Sequence, residues 1–405
     1  MAPLYPIGFP LHFAIAGALF GWEKAPYLVS PFAAVLSLIL MYAVGRELGL
    51  PRWAALGAAL LLASCPTLVF QAVQPMSDVT ATLWTLVAVL AALKARRNPR
   101  WAAAAGFALG ISVLVRPMDA LLLLSLAFAL PRERRTLVLF VTGGVLPAAL
   151  LLGYNNVCFG NLFESGYSMS GLGRFFALSY FPSHFPNYVR WTSAVLTPFV
   201  CLGWLVMPFD HHLPARDRAF LFAWFAAFLL AYSFYQPADQ WWYTRFLLPA
   251  MPAAILAFLL IVRDIAHAFG GFARQGVVAA AAAAIALAVA LGFQNAKEWS
   301  ALDIWQGQAS FPRACLWATE RLPHGALVIS SDLSGALHYY TALQPVRWDQ
   351  LTGESFQSLR GRTASKGARW FALLRNYELL AVRPHVPGNW SQIGDLGDVS
   401  LWALE

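Results

Sequence analysis

Long apolar segments recur along the first three quarters of the chain and constrain its fold more than any other feature. A helix needs about 20 apolar residues to cross the roughly 30 Å hydrocarbon core of a bilayer. Segments of that length, or close to it, occupy Ala25–Val44, Trp53–Val73, Val79–Leu93, Trp101–Val115, Ala120–Leu130, Thr136–Gly153, Trp191–Pro208, Ala219–Tyr235, Phe246–Val262 and Val277–Phe293. They lack the period-two alternation of a membrane β-barrel. The sequence therefore predicts a polytopic α-helical membrane protein with about ten spans.

Composition agrees with this prediction. Hydrophobic residues make up 59% of the 405 residues and charged residues only 12%, whereas soluble domains carry about 25% charged residues. The net charge of +8 does not indicate a nucleic-acid partner, because its excess follows the loops between spans. Thirteen basic residues lie in alternate loops: Arg46, Arg52, Lys94, Arg96, Arg97, Arg100, Arg132, Arg134, Arg135, Arg216, Arg218, Arg263 and Arg274. The positive-inside rule places these loops in the cytoplasm.

The last quarter of the chain has a different pattern. Short apolar runs at 326–330, 345–349, 369–374 and 399–404 alternate with helix-like stretches, which is typical of a small α/β domain. Because the last predicted span ends outside, this domain is expected there. The predicted organisation is an extracytoplasmic juxtamembrane segment at 1–24, a transmembrane helical domain at 25–293 and an extracytoplasmic α/β domain at 294–405.

The start of the chain contains an apolar segment, Phe9–Phe20, that is too short to span a bilayer. No basic residue precedes Lys24, so the segment also lacks the charged start of a secretory signal. We interpret it as an interfacial helix on the outer leaflet. A weak uncleaved anchor is the alternative.

Polar residues in the predicted outer loops are the candidates for chemistry. Asp78 begins the third span, and Arg116 ends the fourth. The remaining candidates come from the loop after Gly153 and from the stretch before the ninth span: Tyr154, Asn155, Tyr167, Arg174, Trp241, Trp242, Tyr243 and Arg245. Arginines beside aromatics at the membrane edge suit a ligand with an anionic head and an apolar tail. The alternative for the aromatics is an ordinary interface belt, and for Arg116 an i,i+3 ion pair with Asp119.

These stretches resemble a known family. YPIGFPLHFAIAGALFG and YAVGRELGLPRWAALGAALLLASCPTLVFQAVQPMSDVTATLW, followed by YNNVCFGNLFESGY and WWYTRFLLPAMP, are similar to landmarks of the GT-C glycosyltransferases. The bacterial branch with the aminoarabinose transferase and the protein O-mannosyltransferases is the nearest in pattern. In that family a first helix and an acidic motif precede a segment like Phe9–Phe20. The resemblance thus implies that both lie before Met1, and that the chain is truncated and inactive as given.

The resemblance implies a multi-pass protein of the bacterial inner membrane that transfers a sugar from a polyprenyl-phosphate donor to a lipid, glycan or protein acceptor. Asp78 would correspond to the acidic residue of the second outer loop. The other outer-loop candidates would bind substrate, and cations or a divalent metal would stabilise the departing phosphate.

Two other function classes stay open. A transporter or lipid flippase also has many spans and few outer charges, but it tends to place ionisable groups near the bilayer midplane. A pseudoenzyme or binding subunit would keep the fold without turnover.

Overall fold

The computed structural model describes residues 5–169, 175–236, 239–364 and 367–404. The chain divides into two compact units, Met1–Leu302 and Asp303–Glu405. The first unit is built from helices, and the second contains a β-sheet. The predicted start of the C-terminal domain at residue 294 falls inside the last helix of the first unit, which continues to Glu298.

The helices of the first unit account for all ten predicted apolar segments. They are α1 (Gly8–Phe20), α2 (Ala25–Glu47), α3 (Arg52–Ala63), α4 (Pro66–Ala72), α5 (Ser77–Lys94), α6 (Trp101–Val115), α7 (Leu122–Ala129), α8 (Arg134–Phe159), α9 (Gly166–Met169), α10 (Phe181–Leu196), α11 (Pro198–Val206), α12 (Ala215–Ser233), α13 (Met251–Ala268) and α14 (Gly271–Glu298). Short 3-10 turns occur at Pro117–Leu121, Leu178–Tyr180, Met207–Phe209 and Trp241–Leu247. The predicted interfacial segment is confirmed as a helix, α1.

Length and composition identify fewer complete spans than the sequence predicted. Five of the described helices are long and apolar enough to cross a membrane by themselves, and the number reaches seven if two bent pairs each form one span. The bilayer-length helices are α2, α5, α8, α13 and α14. Helices such as α6 and α7 are apolar but shorter than a bilayer needs.

Two predicted spans are broken, and proline explains both breaks. The segment Trp53–Val73 bends by 62° between α3 and α4, and Trp191–Pro208 bends by 114° between α10 and α11. Pro66 and Pro198 begin the second helix of each pair. Because proline disfavours a helical conformation in the residue before it, Cys65 is extended and Thr197 has a φ of 77°. Neither of these two predicted spans is therefore one continuous helix.

Helix α13 is central to the first unit. Every residue from Met251 to Leu260 is buried. Large aromatic side chains of α12 fill the adjacent core, with Phe220, Trp224 and Phe228 all fully buried. The indole of Trp224 donates to the Pro249 carbonyl at 3.1 Å, so even this residue has its polar group satisfied. This hydrogen bond anchors the short segment that joins the 3-10 turn Trp241–Leu247 to the start of α13.

Helices α6 and α8 approach each other closely through small residues. A Cβ added at Gly106 would lie 1.8 Å from the Phe140 carbonyl oxygen, and one added at Gly143 would lie 2.0 Å from the Ala103 carbonyl oxygen. Only glycine permits this backbone contact, as is common between helices in membranes. The contact fixes α6, whose last residue directly precedes Arg116.

The second unit contains a five-stranded sheet in the order β2-β1-β3-β5-β4. Its strands are β1 (Leu327–Ile329), β2 (Gln344–Val346), β3 (Trp370–Arg375), β4 (Trp390–Leu396) and β5 (Val399–Leu404). Strand β1 pairs in parallel with β2 and β3, whereas β5 pairs antiparallel with β3 and β4. The helices of this unit are α15 (Ile304–Thr319), α16 (Ser334–Tyr340), α17 (Gly353–Ala364) and α18 (Leu379–Val382).

Alternate residues of the strands bury their side chains on opposite faces of this sheet. Val328 and Leu373 pack with α15 and α16 in one cluster, while Ile329 packs with Phe356 of α17 in the other. The predicted α/β character is confirmed. Strand β4 was not predicted, because its residues are mostly exposed and form no apolar run.

Candidate functional site

A buried ion pair joins two of the predicted site residues. Asp78 lies in the first turn of α5, and Arg116 follows the last residue of α6 in an extended conformation. Arg116 Nη1 donates to Asp78 Oδ1 at 2.7 Å. The exposed fraction is only 3% for Asp78 and 9% for Arg116. A charged pair with so little water around it is costly to form unless further hydrogen bonds support it.

Further hydrogen bonds and two aromatic rings support the guanidinium group of Arg116. Arg116 Nη2 donates to the Tyr232 hydroxyl at 2.9 Å, and Nη1 lies 3.4 Å from the Arg245 carbonyl oxygen. Its guanidinium carbon lies 5.9 Å from the centre of the Tyr232 ring and 5.6 Å from that of Phe246. The guanidinium is therefore held by α5, by α12 and by the 3-10 turn before α13.

A second carboxylate, Asp119, is fully buried beside this pair. It does not form the i,i+3 ion pair with Arg116 that the sequence allowed, since Arg116 bonds to Asp78. Instead Ser112 donates from its hydroxyl to Asp119 Oδ2 at 2.5 Å. Asp119 Oδ1 has no hydrogen-bond partner among the described residues. The VRPMD stretch marks Asp119, together with Arg116, as a polar residue at the outer end of the fourth predicted span.

Arg245 is a cation without an acidic partner in the described part of the chain. It is half-buried, and its guanidinium lies over the Phe246 ring at 5.0 Å. Its Nε is buried and has no acceptor among the described residues. Because a buried donor that lacks an acceptor costs free energy, this nitrogen is suited to a ligand oxygen. We call Asp78, Arg116, Asp119 and Arg245 the paired site.

Tyr167 lies close enough to the paired site to interact electrostatically with Arg116 and Asp78. The ring of Tyr167 lies 6.2 Å from that of Tyr5 in an edge-on arrangement, and the hydroxyl of Tyr154 donates to the Tyr5 carbonyl at 3.4 Å. Burial raises the pKa of Tyr167 to about 12, against the opposing effect of the positive charge on Arg116. Tyr167 is therefore a neutral phenol that can donate a hydrogen bond near neutral pH.

Other predicted site residues have structural contacts. Asn155 donates to the Leu162 carbonyl at 3.1 Å and so holds the turn after α8. Trp241 is buried between Phe70 and Trp299. Tyr243 stacks on Phe246 with 6.0 Å between ring centres, and Trp242 is 37% exposed. Arg174 lies outside the described residues.

The described residues do not provide a ligand set for a resident metal ion. Among them, no three histidine, cysteine, aspartate or glutamate side chains come together. At the paired site, the Asp78 carboxylate already holds the Arg116 guanidinium, a cation that would repel a metal. The predicted divalent cation thus stays a prediction, and no catalytic step is assigned to it.

Comparisons with known proteins identify chains that share this fold. Residues 5–153 match the model of the dolichyl-phosphate-mannose-protein mannosyltransferase family. ArnT from Cupriavidus metallidurans bound to undecaprenyl phosphate has a similar structure, with a TM-score of 0.68 and 14% identity over 99% of this chain and 88% of that one. Its apo state gives a TM-score of 0.63 with 15% identity over the same shares.

A third similar structure is more distant. The arabinofuranosyltransferase AftD from Mycobacteria has a TM-score of 0.55 and 14% identity, over 97% of this chain and 36% of that one. No curated protein sequence matches the chain. The fold that the sequence resemblance implies is confirmed: this protein has the fold of ArnT, and several of its described helices are long and apolar enough to cross a membrane.

Proposed function

We propose that the protein transfers a sugar from a polyprenyl-phosphate donor to a lipid, glycan or protein acceptor. The GT-C fold and the undecaprenyl phosphate bound by ArnT support this donor class. The observation that carries the proposal is Arg245, a half-buried cation whose Nε has no acceptor among the described residues. Its backbone carbonyl oxygen lies 3.4 Å from Nη1 of Arg116, a guanidinium that is already held in place.

The positive charges of these two arginines suit the donor phosphate. A guanidinium can hold two phosphate oxygens with its planar fork. Arg116 is largely committed to Asp78 and Tyr232, so it contributes a fixed positive field, and Arg245 contributes the free donors.

The proposed reaction is a single displacement at the anomeric carbon. The acceptor oxygen forms a bond to this carbon while the bond from the carbon to the phosphate oxygen breaks. The polyprenyl phosphate leaves with the electron pair, where Arg116 and Arg245 stabilise its charge. Asp78 is the proposed catalytic carboxylate: it orients the acceptor hydroxyl and takes its proton. Tyr167, a neutral phenol, donates to the leaving phosphate.

The reaction is proposed to occur on the outer face of the bacterial inner membrane, with the α/β unit also outside. The distribution of basic loops supports this orientation. Cysteines placed at Asn98 and at Gly335, both exposed positions, test it in a chain without its native cysteines. A membrane-impermeant reagent added to spheroplasts should label only Gly335→Cys, and labelling of Asn98→Cys would reverse the orientation.

Transfer from a radiolabelled polyprenyl-phosphate sugar tests the proposed activity. Asp78→Asn and Arg116→Lys should abolish any transfer that the unmodified protein shows. Asp239→Asn, which alters an exposed ion pair, is the control and should keep that transfer. Donor binding without any transfer would support the pseudoenzyme alternative. Movement of a fluorescent polyprenyl phosphate between leaflets, without transfer, would support the flippase alternative.

A further inference from the structure

A basic pocket lies at the end of the first unit opposite to the paired site. Ser30 of α2 contacts the Met76 carbonyl beside Asp78, and Arg46 lies 16 residues further along the same helix. At 1.5 Å per residue, the two levels are about 24 Å apart. The pocket is a cavity of about 250 Å³ lined by residues that include Arg46, Arg263, His267 and Arg274.

These four residues come from three helices that are distant in sequence. Arg46 lies in the last turn of α2, Arg263 and His267 lie in the last turns of α13, and Arg274 lies in the first turn of α14. We refer to them together as the basic pocket. Nothing in the reaction proposed above uses these residues, so the pocket needs its own explanation.

The pocket carries an excess of positive charge. Asp264 neutralises Arg263 through two hydrogen bonds of 2.7 and 3.0 Å. Arg46 donates to the Leu50 carbonyl at 2.5 Å, which leaves its charge uncompensated. Neither Arg46 nor Arg274 has an acidic partner among the residues that the structure describes, since the nearby Glu47 pairs with Arg97. Two arginines are therefore available to an anion.

The backbone around the pocket also favours an anion. The helices α3 and α14 begin beside it, and the first N–H groups of a helix have no acceptor within that helix. Gly49 has a φ of 87°, and a Cβ added there would lie 3.2 Å from Arg263 Nη1. The glycine turn thus lets Arg263 donate to the Leu48 carbonyl at 3.2 Å and keeps the cavity open.

The size and position of the pocket indicate the class of ligand. Its volume is smaller than the roughly 300–1,000 Å³ of pockets for drug-sized molecules, and it suits a single headgroup. It lies at the ends of α2, α13 and α14, three helices long and apolar enough to span. Trp53 and Val278 also line it, and tryptophan is typical of the membrane interface. Basic pockets between spanning helices at this depth bind phosphate-bearing headgroups.

We propose that the basic pocket binds a phosphate group, supplied by the headgroup of an anionic phospholipid or by a free phosphate. Arg46 and Arg274 bind the phosphate oxygens, and His267 adds a ring nitrogen. Arg263, already paired with Asp264, shapes the wall of the cavity.

Native mass spectrometry of the detergent-solubilised full chain, titrated with phosphatidylglycerol, tests this proposal. Phosphatidylcholine with the same acyl chains is the neutral-headgroup comparison. The double variant R46Q/R274Q should bind phosphatidylglycerol on the order of thirtyfold more weakly, because each arginine near an anionic lipid contributes about one kcal/mol. R46K/R274K should recover most of the affinity, and phosphatidylcholine binding should not change.

The double variant R100Q/R135Q is the matched control, since it removes the same charge at two exposed arginines outside the pocket. Inorganic phosphate that competes with the lipid would identify a free phosphate ligand, and no competition would identify the lipid. Equal phosphatidylglycerol affinities in the two Gln doubles, with thermal unfolding unchanged in both, would overturn the proposal. If R46Q/R274Q unfolds at a lower temperature than the unmodified protein, the single variants R46Q and R274Q give the same comparison.

Discussion

The paired site and the basic pocket both use arginine, yet they differ in the water around it. Arg116 is 9% exposed and bonded on both terminal nitrogens to protein partners, whereas Arg46 and Arg274 are exposed. A buried charge must be paired or it destabilises the fold. An exposed charge has little effect on folding and remains free for a ligand. The comparison teaches that burial, rather than residue type, separates an arginine that organises a site from one that recruits an anion.

The largest expected effect comes from removing the buried partner of Arg116. Asp78→Ala leaves this guanidinium buried without its carboxylate, so we expect the free energy of unfolding to fall by about 3–5 kcal/mol. Reversible unfolding in mixed micelles measures it. Asp239→Ala is the control, because Asp239 pairs with Arg190 in the open and its loss should cost under about 1 kcal/mol. Similar losses in the two variants would remove the distinction between buried and exposed arginines.

The next effect concerns Arg245, the arginine of the paired site without a protein acceptor for its Nε among the described residues. If it binds the donor phosphate, Arg245→Ala removes charge-assisted hydrogen bonds of about 1.5–3 kcal/mol. The affinity for a polyprenyl phosphate should then fall roughly ten- to a hundredfold. Arg245→Lys should recover only part of it, since lysine lacks the planar fork.

Arg190→Ala is the control for this measurement, because Arg190 already bonds to Asp239 at 2.7 and 2.9 Å. Its donor affinity should remain near that of the unmodified protein. Equal affinities in Arg245→Ala and Arg190→Ala, with the fold intact, would exclude Arg245 from the donor site.

Salt should weaken ligand binding at the basic pocket more than at the paired site, although this difference is smaller than the effects above. Raising the ionic strength from about 0.1 to 1 M shortens the Debye length from about 10 to 3 Å, and exposed charges are screened far more than buried ones. We expect phosphatidylglycerol to bind the basic pocket several-fold more weakly at high salt. Polyprenyl phosphate at the paired site should change by less than about twofold. A common salt dependence would mean that the paired site is open to water when it binds its ligand.

The smallest expected effect is that of a chelator. The described carboxylates do not form a metal ligand set, and the Asp78 carboxylate is hydrogen-bonded to Arg116. EDTA should therefore leave the affinity for polyprenyl phosphate unchanged at both low and high salt. Restoration of lost binding by Mg²⁺ would show that the donor phosphate itself completes a metal site.

Much of this molecule follows from its sequence because the signals are local. The length of an apolar run such as Ala25–Val44 predicts a membrane-spanning helix, and the structure has α2 there. The alternation of short apolar runs with helix-like stretches after residue 326 predicts the α/β unit. The breaks at Cys65 and Thr197 also have a local signal, a following proline. The continuous hydrophobicity of both segments masks this signal. Strand β4 had no such signal, because an exposed edge strand buries too little to need apolar residues.

The contacts of the candidate site were decided by the tertiary structure. The sequence selected Asp78, Arg116 and Arg245 one by one from their position at the membrane edge, but it offered Asp119 as the partner of Arg116. Packing of α5 against α6 brings Asp78 to Arg116 across 38 positions of sequence, and the basic pocket joins arginines from three helices in the same way. Local pattern determines which residues enter a helix and which end of it carries charge. Which charges then meet depends on helix packing, where small contacts such as Gly106 against Phe140 set the distances.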